Sequence, residues 1–220
     1  MPNRDPLTST LDLRAALRAC ARDGHARVPA AVPAAYLADL RQELGAGPFR
    51  PFGESFGPVR QQIDGYDVAV PDHGFPLLSV LCRELRDVVR AHGRGVRGLA
   101  TWDPNEVGIA HYLPGSIGIT PHMDGKWYRR LVVVATVYGR APFAICGSRD
   151  PADVVERWVA GPGDLVLMRG PGLAGHLDGR PFHLVHGPPR GERLSLGIRM
   201  ARPEGRPQRL SSVPHPTRRS

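Results

Sequence analysis

His111-Tyr112-Leu113-Pro114-Gly115-Ser116-Ile117-Gly118-Ile119-Thr120-Pro121-His122-Met123-Asp124 is the stretch on which the reading of this 220-residue chain turns. Its end, His122-x-Asp124, puts an imidazole and a carboxylate two residues apart. On extended backbone, residues i and i+2 point to the same face. Both side chains can then grip one metal ion from one side. Alone, the tripeptide is weak evidence. The chain has nine histidines, and a surface histidine beside a turn aspartate is the plainer reading of an isolated pair.

The C-terminal half changes that balance. Trp158-Val159-Ala160-Gly161-Pro162-Gly163-Asp164-Leu165-Val166-Leu167-Met168 reads as a turn feeding an apolar strand. Pro181-Phe182-His183-Leu184-Val185-His186-Gly187 follows. Gly191-Glu192-Arg193-Leu194-Ser195-Leu196-Gly197-Ile198-Arg199 is an alternating strand with a basic start. A second histidine from this half would complete a set of two imidazoles and one carboxylate. Such a set holds three positions of an octahedral Fe(II) and leaves the others open.

In this order, the segments resemble the Fe(II)/2-oxoglutarate-dependent dioxygenase superfamily. The family pattern is His-x-Asp, a Pro-Gly-Asp turn and strand, a distal His-x-Val, and an Arg about ten residues on, commonly as Arg-x-Ser. Here Arg193 stands ten residues after His183, and Arg193-x-Ser195 is present. The resemblance covers residues 105–201, about half the chain. The combination is far more specific than any single part.

The resemblance implies that His122, Asp124 and His183 bind Fe(II), with O₂ and 2-oxoglutarate as co-substrates. His176 and His186 compete for the distal position. His183 and His186 differ by three, so on a strand they face opposite ways, and His183 has the family spacing. Arg193 would pair with the remote carboxylate of 2-oxoglutarate, because a planar guanidinium grips a carboxylate with two hydrogen bonds. Ser195, on the same face, and Tyr112 would add hydrogen bonds. Arg193 and Tyr112 also have plainer readings, as a surface cross-strand arginine and an ordinary core tyrosine.

Arg199, six residues after Arg193, is similar to the second arginine of the AlkB-like nucleic-acid demethylase branch. That branch has an Asn two residues before the Tyr, where this chain has Ala110. A salt bridge from Arg199 to a buried carboxylate such as Asp124 is an equal alternative. Lys126-Trp127-Tyr128-Arg129-Arg130 could wall a substrate pocket or cap the barrel end. Gln61, Gln62, Asp64 and Tyr66 could form a polar wall.

The +8 formal charge invites a nucleic-acid partner. Two observations weaken it. Lys126 is the only lysine, so the basic residues are nearly all arginine, which suits a coding bias. Residues 202–220 hold five arginines against one glutamate, a net +4, half the total. That Pro- and Ser-rich stretch is expected to be a disordered tail. The expected partner is a small molecule rather than nucleic acid, with oligomeric state open. Cys20, Cys82 and Cys146 show no zinc or disulfide spacing. No apolar run reaches membrane-span length, and the first residues lack a signal-peptide layout, so the expected location is cytoplasmic.

Helices are expected over 10–22 with a Thr or Ser cap, from Pro33 to Leu44, and from Phe75 to His92. Short strands are expected at His25–Pro29 and within Val59–Val70. From 98 onward the period shortens toward two, with strands at 98–102, 107–113, 117–122, 131–138, 142–146, 157–160, 164–169, 181–186 and 193–201. The expected fold is mainly β (α+β). It is one oxygenase domain over 1–201, with a helical part to about 95 and a double-stranded β-helix, or jelly roll, from about 96. The expected reaction is oxidation of a C–H bond of a small polar natural product in secondary metabolism, such as antibiotic biosynthesis, coupled to decarboxylation of 2-oxoglutarate to succinate. An AlkB-like demethylase and a non-catalytic cupin-like barrel are the alternatives.

Overall fold

Side-chain alternation along one strand separates the two interiors of this protein. Between Arg193 and Ala201, residues Leu194, Leu196 and Ile198 face one way. Arg193, Ser195, Gly197 and Arg199 face the other. The first set packs under helices; of the second, Ser195, Gly197 and Arg199 line a cavity, and Arg193 lies buried against Ser195.

The computed structural model describes residues 5–202. The helices are α1 (Arg14–Asp23), α2 (Ala34–Gly45) and α3 (Pro76–His92). The strands are β1 (His25–Val28), β2 (Arg50–Pro51), β3 (Ser55–Phe56), β4 (Val59–Gln62), β5 (Asp64–Ala69), β6 (Glu106–Tyr112) and β7 (Gly118–His122). They continue with β8 (Tyr128–Tyr138), β9 (Ala141–Cys146), β10 (Val154–Ala160), β11 (Leu165–Arg169), β12 (Phe182–Val185) and β13 (Arg193–Ala201). Among the described residues, a seven-stranded sheet runs β1-β11-β8-β13-β6-β5-β2, and a six-stranded sheet runs β10-β9-β12-β7-β4-β3. Every pairing is antiparallel. This is the double-stranded β-helix expected from the alternation.

The outer face of the larger sheet carries the main core. Leu17, Leu40, Leu44, Leu78, Leu81, Leu85 and Val89 pack from the helices onto Val107, Ile109, Leu167 and Leu196. Between the sheets lies a second apolar cluster, including Tyr112, Tyr128, Phe143, Val166 and Val185. The first 95 residues are more than a helical support. They supply β1 to β5, which extend both sheets.

Three local expectations are corrected. The first helix starts at Arg14, and no Thr or Ser side chain caps it. The Asp12 carboxylate accepts the Arg14 N–H instead (2.8 Å), while Thr8 donates to the Ala30 carbonyl. Residues 98–102 are not a strand. Gly98 is left-handed (φ 102) and opens a single 3₁₀ turn, Leu99–Thr101. The apolar signal there belongs to Trp102, a fully buried anchor whose indole N–H donates to the Leu131 carbonyl at 2.8 Å. The strand expected over 181–186 stops at Val185, leaving His186 exposed beyond it. Of the expected basic tail, residues 203–220 lie outside the described residues. Among the described residues no helix is long and apolar enough to cross a membrane.

The Pro162-Gly163-Asp164 turn is a hub. The buried Asp164 carboxylate accepts the N–H groups of Ala30 and Gly161 and pairs with Arg27, each at 3.1 Å. It ties the β1 end to the start of β11.

Gly118 opens β7 at φ +69, and a Cβ there would meet the Val185 carbonyl at 2.0 Å. Substituting it strains a left-handed backbone and pushes β7 off β12. Gly118→Ala should therefore cost at least about 2 kcal/mol in urea unfolding. A loss under about 0.5 kcal/mol would contradict this account.

Candidate active site

The β7–β12 pairing builds the centre of the site. His183 is the direct cross-strand partner of His122, and their ring centroids stand 4.1 Å apart. Asp124 follows just beyond the end of β7. One ligand atom from each of His122, Asp124 and His183 lies within 4.8 Å of the others. That spacing suits three ligands on one face of a single ion.

The backbone sets the tautomers. The Nδ1 of His122 lies 2.9 Å from the Thr120 carbonyl, and that of His183 lies 3.3 Å from the Pro181 carbonyl. A carbonyl only accepts, so each Nδ1 carries the proton. Each Nε2 keeps its lone pair for a ligand bond. Burial and the neighbouring His183 push the His122 pKa down to about 3. Burial also lowers that of His183. Burial opposes ionisation of Asp124, but His183, Arg199, His122 and Arg180 outweigh it and hold its pKa below the usual value. At neutral pH the trio is thus two neutral imidazoles and one carboxylate. Arg180 adds a mechanical tie: it donates to the Asp124 backbone carbonyl and pairs with Asp178.

Arg193 is completely buried. Its guanidinium donates to Ser195 Oγ (3.2 Å) and Thr136 Oγ1 (3.0 Å) and lies 5.0 Å from the centre of the Tyr112 ring. Among the described residues its Nε has no partner. Among the described residues no carboxylate pairs with it. Burial lowers its pKa, as expected for a cation that has lost water without gaining a counter-charge. Tyr112 is its direct cross-strand neighbour on β6.

At the other end of the same strand face, Arg199 has acidic company. It donates to the Tyr128 hydroxyl (3.1 Å) and lies 3.8 Å from Asp67 and 3.7 Å from Glu106. Tyr128 in turn donates to Glu106 (2.8 Å). Burial opposes the Arg199 charge, but Tyr128, Asp124, Asp67 and Glu106 outweigh it and raise its pKa. Two glycines make room. A Cβ at Gly108 or Gly197 would stand 2.8 Å from the guanidinium.

A cavity of about 250 Å³ lies among these groups. His122, Asp124, His183, Tyr112, Ser195 and Arg199 all line it, among apolar side chains such as Phe143 and Val134. The expected set is brought together: His122, Asp124 and His183 cluster, and Arg193, Ser195 and Tyr112 form one contact group. His186 is exposed. His176 is also exposed, 3.4 Å from Arg169. Arg199 does make a salt bridge, but its partners are Asp67 and Glu106 rather than Asp124. Trp127 and Tyr128 line the cavity, while Lys126 is exposed and Arg130 turns to the Gly172 carbonyl.

Of the suggested polar wall, only Gln61 reaches the cavity. Gln62 accepts the Ile117 N–H (3.1 Å), Asp64 does not line the cavity, and the buried Tyr66 donates to the Leu44 carbonyl. Asp67 was missed. The signal was the alternation Ile63-Gly65-Asp67, obscured because Tyr66 and Val68 point the apolar face at the helices.

No protein-family model matches the sequence, and comparison with curated proteins finds no match. Solved structures do match. A Burkholderia pseudomallei oxidoreductase of the 2OG-Fe(II) oxygenase family superposes with a TM-score of 0.60 at 14% identity, over 87% of this chain and 91% of that one. A Pseudomonas putida prolyl-4-hydroxylase gives 0.58 at 18% identity, over 86% and 99%. AviO1 from Streptomyces viridochromogenes gives 0.56 at 20% identity, over 91% and 99%. The chain therefore has the jelly-roll fold of the 2OG-Fe(II) oxygenases.

Proposed function

We propose that the protein is an Fe(II)- and 2-oxoglutarate-dependent dioxygenase that oxidises a C–H bond of a small polar natural product. The observation that carries the reading is Arg193, a wholly buried cation with hydroxyl partners and, among the described residues, an unpartnered Nε, packed behind Ser195 and Tyr112, which line the cavity holding two imidazoles and a carboxylate. Burying an uncompensated charge is costly. An anionic ligand removes that cost. The likeness of fold supports the same assignment.

The donor set fits both groups. His122 and His183 would offer Nε2 and Asp124 an oxygen to Fe(II). Arg193 would hold the remote carboxylate of 2-oxoglutarate. Ser195 already accepts a hydrogen bond from Arg193, so its own O–H is left to donate to that carboxylate. Tyr112 walls the same end. When bound, iron, O₂ and 2-oxoglutarate supply the oxidation, with succinate and CO₂ as co-products. The protein fixes positions and excludes water with Phe143, Ile119, Val132 and Val134. Hydroxylation is the default outcome; desaturation or ring closure uses the same machinery.

The cavity bears on the substrate. At about 250 Å³ it is smaller than the 300 Å³ or more usual for a drug-sized ligand. With a co-substrate inside, it admits one ring or one side chain. Its mouth carries Asp67, which disfavours a phosphate backbone and hence the AlkB-like reading. Release of succinate upon supplying Fe(II) and 2-oxoglutarate would exclude the non-catalytic barrel.

Metal titration of the full-length chain tests the trio. His183→Ala should weaken Fe(II) binding by more than about 100-fold, whereas His186→Ala should change it by less than about threefold. The reverse order would move the distal ligand to His186.

A second measurement addresses the co-substrate. Arg193→Ala leaves a buried carboxylate without its partner, a loss of about 3–5 kcal/mol. The 2-oxoglutarate concentration for half-maximal succinate release should rise by about two to nearly four orders of magnitude. An unchanged requirement would refute the assignment.

A further inference from the structure

We infer that the mouth of this cavity is a subsite for a neutral hydroxyl group, held between the Asp67 carboxylate and the Arg199 guanidinium, on a substrate with a flat apolar face. The inference rests on the reading above only in taking this cavity as the substrate cavity.

Asp67 and Arg199 both line the cavity and stand 3.8 Å apart, with side chains 26% and 20% exposed. Asp67 only accepts hydrogen bonds; Arg199 only donates. A hydroxyl satisfies both at once. An ammonium could donate to Asp67 but has no lone pair to accept from the guanidinium, whose charge also offsets the attraction of Asp67. A carboxylate or phosphate would engage Arg199 but face Asp67 and Glu106, which lies 3.7 Å from the same guanidinium.

The surrounding walls fit the same guest. Gly108 and Gly197 put bare backbone beside the guanidinium, where any Cβ would strike it. That leaves a shallow floor beneath the polar edge. Trp127 and Phe52 line the cavity as flat apolar walls. Gly125 lets the chain lie over the Trp127 indole, since a Cβ there would be 2.3 Å from the ring. Polar edge and apolar face together suit a hydroxylated ring, whose C–H face stacks while its hydroxyls reach Asp67 and Arg199.

The test uses full-length protein loaded with Zn(II), a redox-inert stand-in. Ligand-observed NMR titrations would compare three probes on one ring: cyclohexane-1,2-diol, protonated 2-aminocyclohexanol and 2-hydroxycyclohexanecarboxylate. Each is run with and without 2-oxoglutarate. The diol should bind at least about fivefold tighter than either charged analogue, and Asp67→Ala should weaken it by roughly tenfold. Equal or tighter binding of a charged analogue would overturn the inference, as would a diol affinity indifferent to Asp67→Ala, or no diol binding. The wild-type series decides by itself if that variant does not fold. Failure of 2-oxoglutarate to bind would instead count against the co-substrate reading, and the response of the uncharged diol to Asp67→Ala still decides the subsite.

Discussion

A guanidinium held wholly out of water without a counter-charge is the constraint around which this molecule is arranged. Arg193 sits on β13, which lies between β8 and β6 in the larger sheet. Both neighbours serve it: Thr136 from β8 and Tyr112 from β6. A one-residue slip of β13 would turn Arg193 into the leucine-rich core under the helices and bring Leu194 into the cavity. The helix-side core therefore defends the site. Leu194, Leu196 and Ile198 fix the register that aims Arg193, Ser195, Gly197 and Arg199 inward.

The smaller sheet meets this requirement with an equally register-bound feature. His122 and His183 belong to strands far apart in sequence and become neighbours only because β7 pairs with β12. Their Nδ1 atoms are spent on backbone carbonyls two residues upstream, so the rings arrive oriented. Preorganisation of this kind follows from strand geometry rather than from extra side chains.

Much of this was legible because strands write their facing in a period of two. His122-x-Asp124 and Arg193-x-Ser195 declare a shared face, and the His183–His186 spacing separates two candidates. What stayed hidden depends on tertiary contacts. The apolar character of residues 98–102 suits a strand but belongs to one buried tryptophan after a left-handed glycine. A Thr or Ser cap is expected at the first helix, while the work falls to Asp12. Asp67 sits in a segment whose opposite face holds Tyr66 and Val68, so its inward aim shows only once β5 is paired with β6. Gly108 and Gly197 read as ordinary strand glycines until the Arg199 side chain is seen to cross them.

The two arginines of β13 show why composition is a poor guide to chemistry here. Much of the chain's charge is spread over exposed pairs such as Arg14–Asp12, Arg22–Asp23 and Arg86–Asp87, which interact weakly in water. Arg193 is buried and Arg199 half-buried on one face, six residues apart, and they do opposite things because of what stands across from them. Arg193 meets hydroxyls and a ring, so its charge is left for a ligand. Arg199 meets Asp67, Glu106 and Tyr128, so its charge is absorbed by the protein and its remaining capacity is directional hydrogen bonding. The cavity is thereby polarised along the strand: one end wants an anion, the other discourages one. The asymmetry comes from the neighbours across the sheet, not from the arginines themselves.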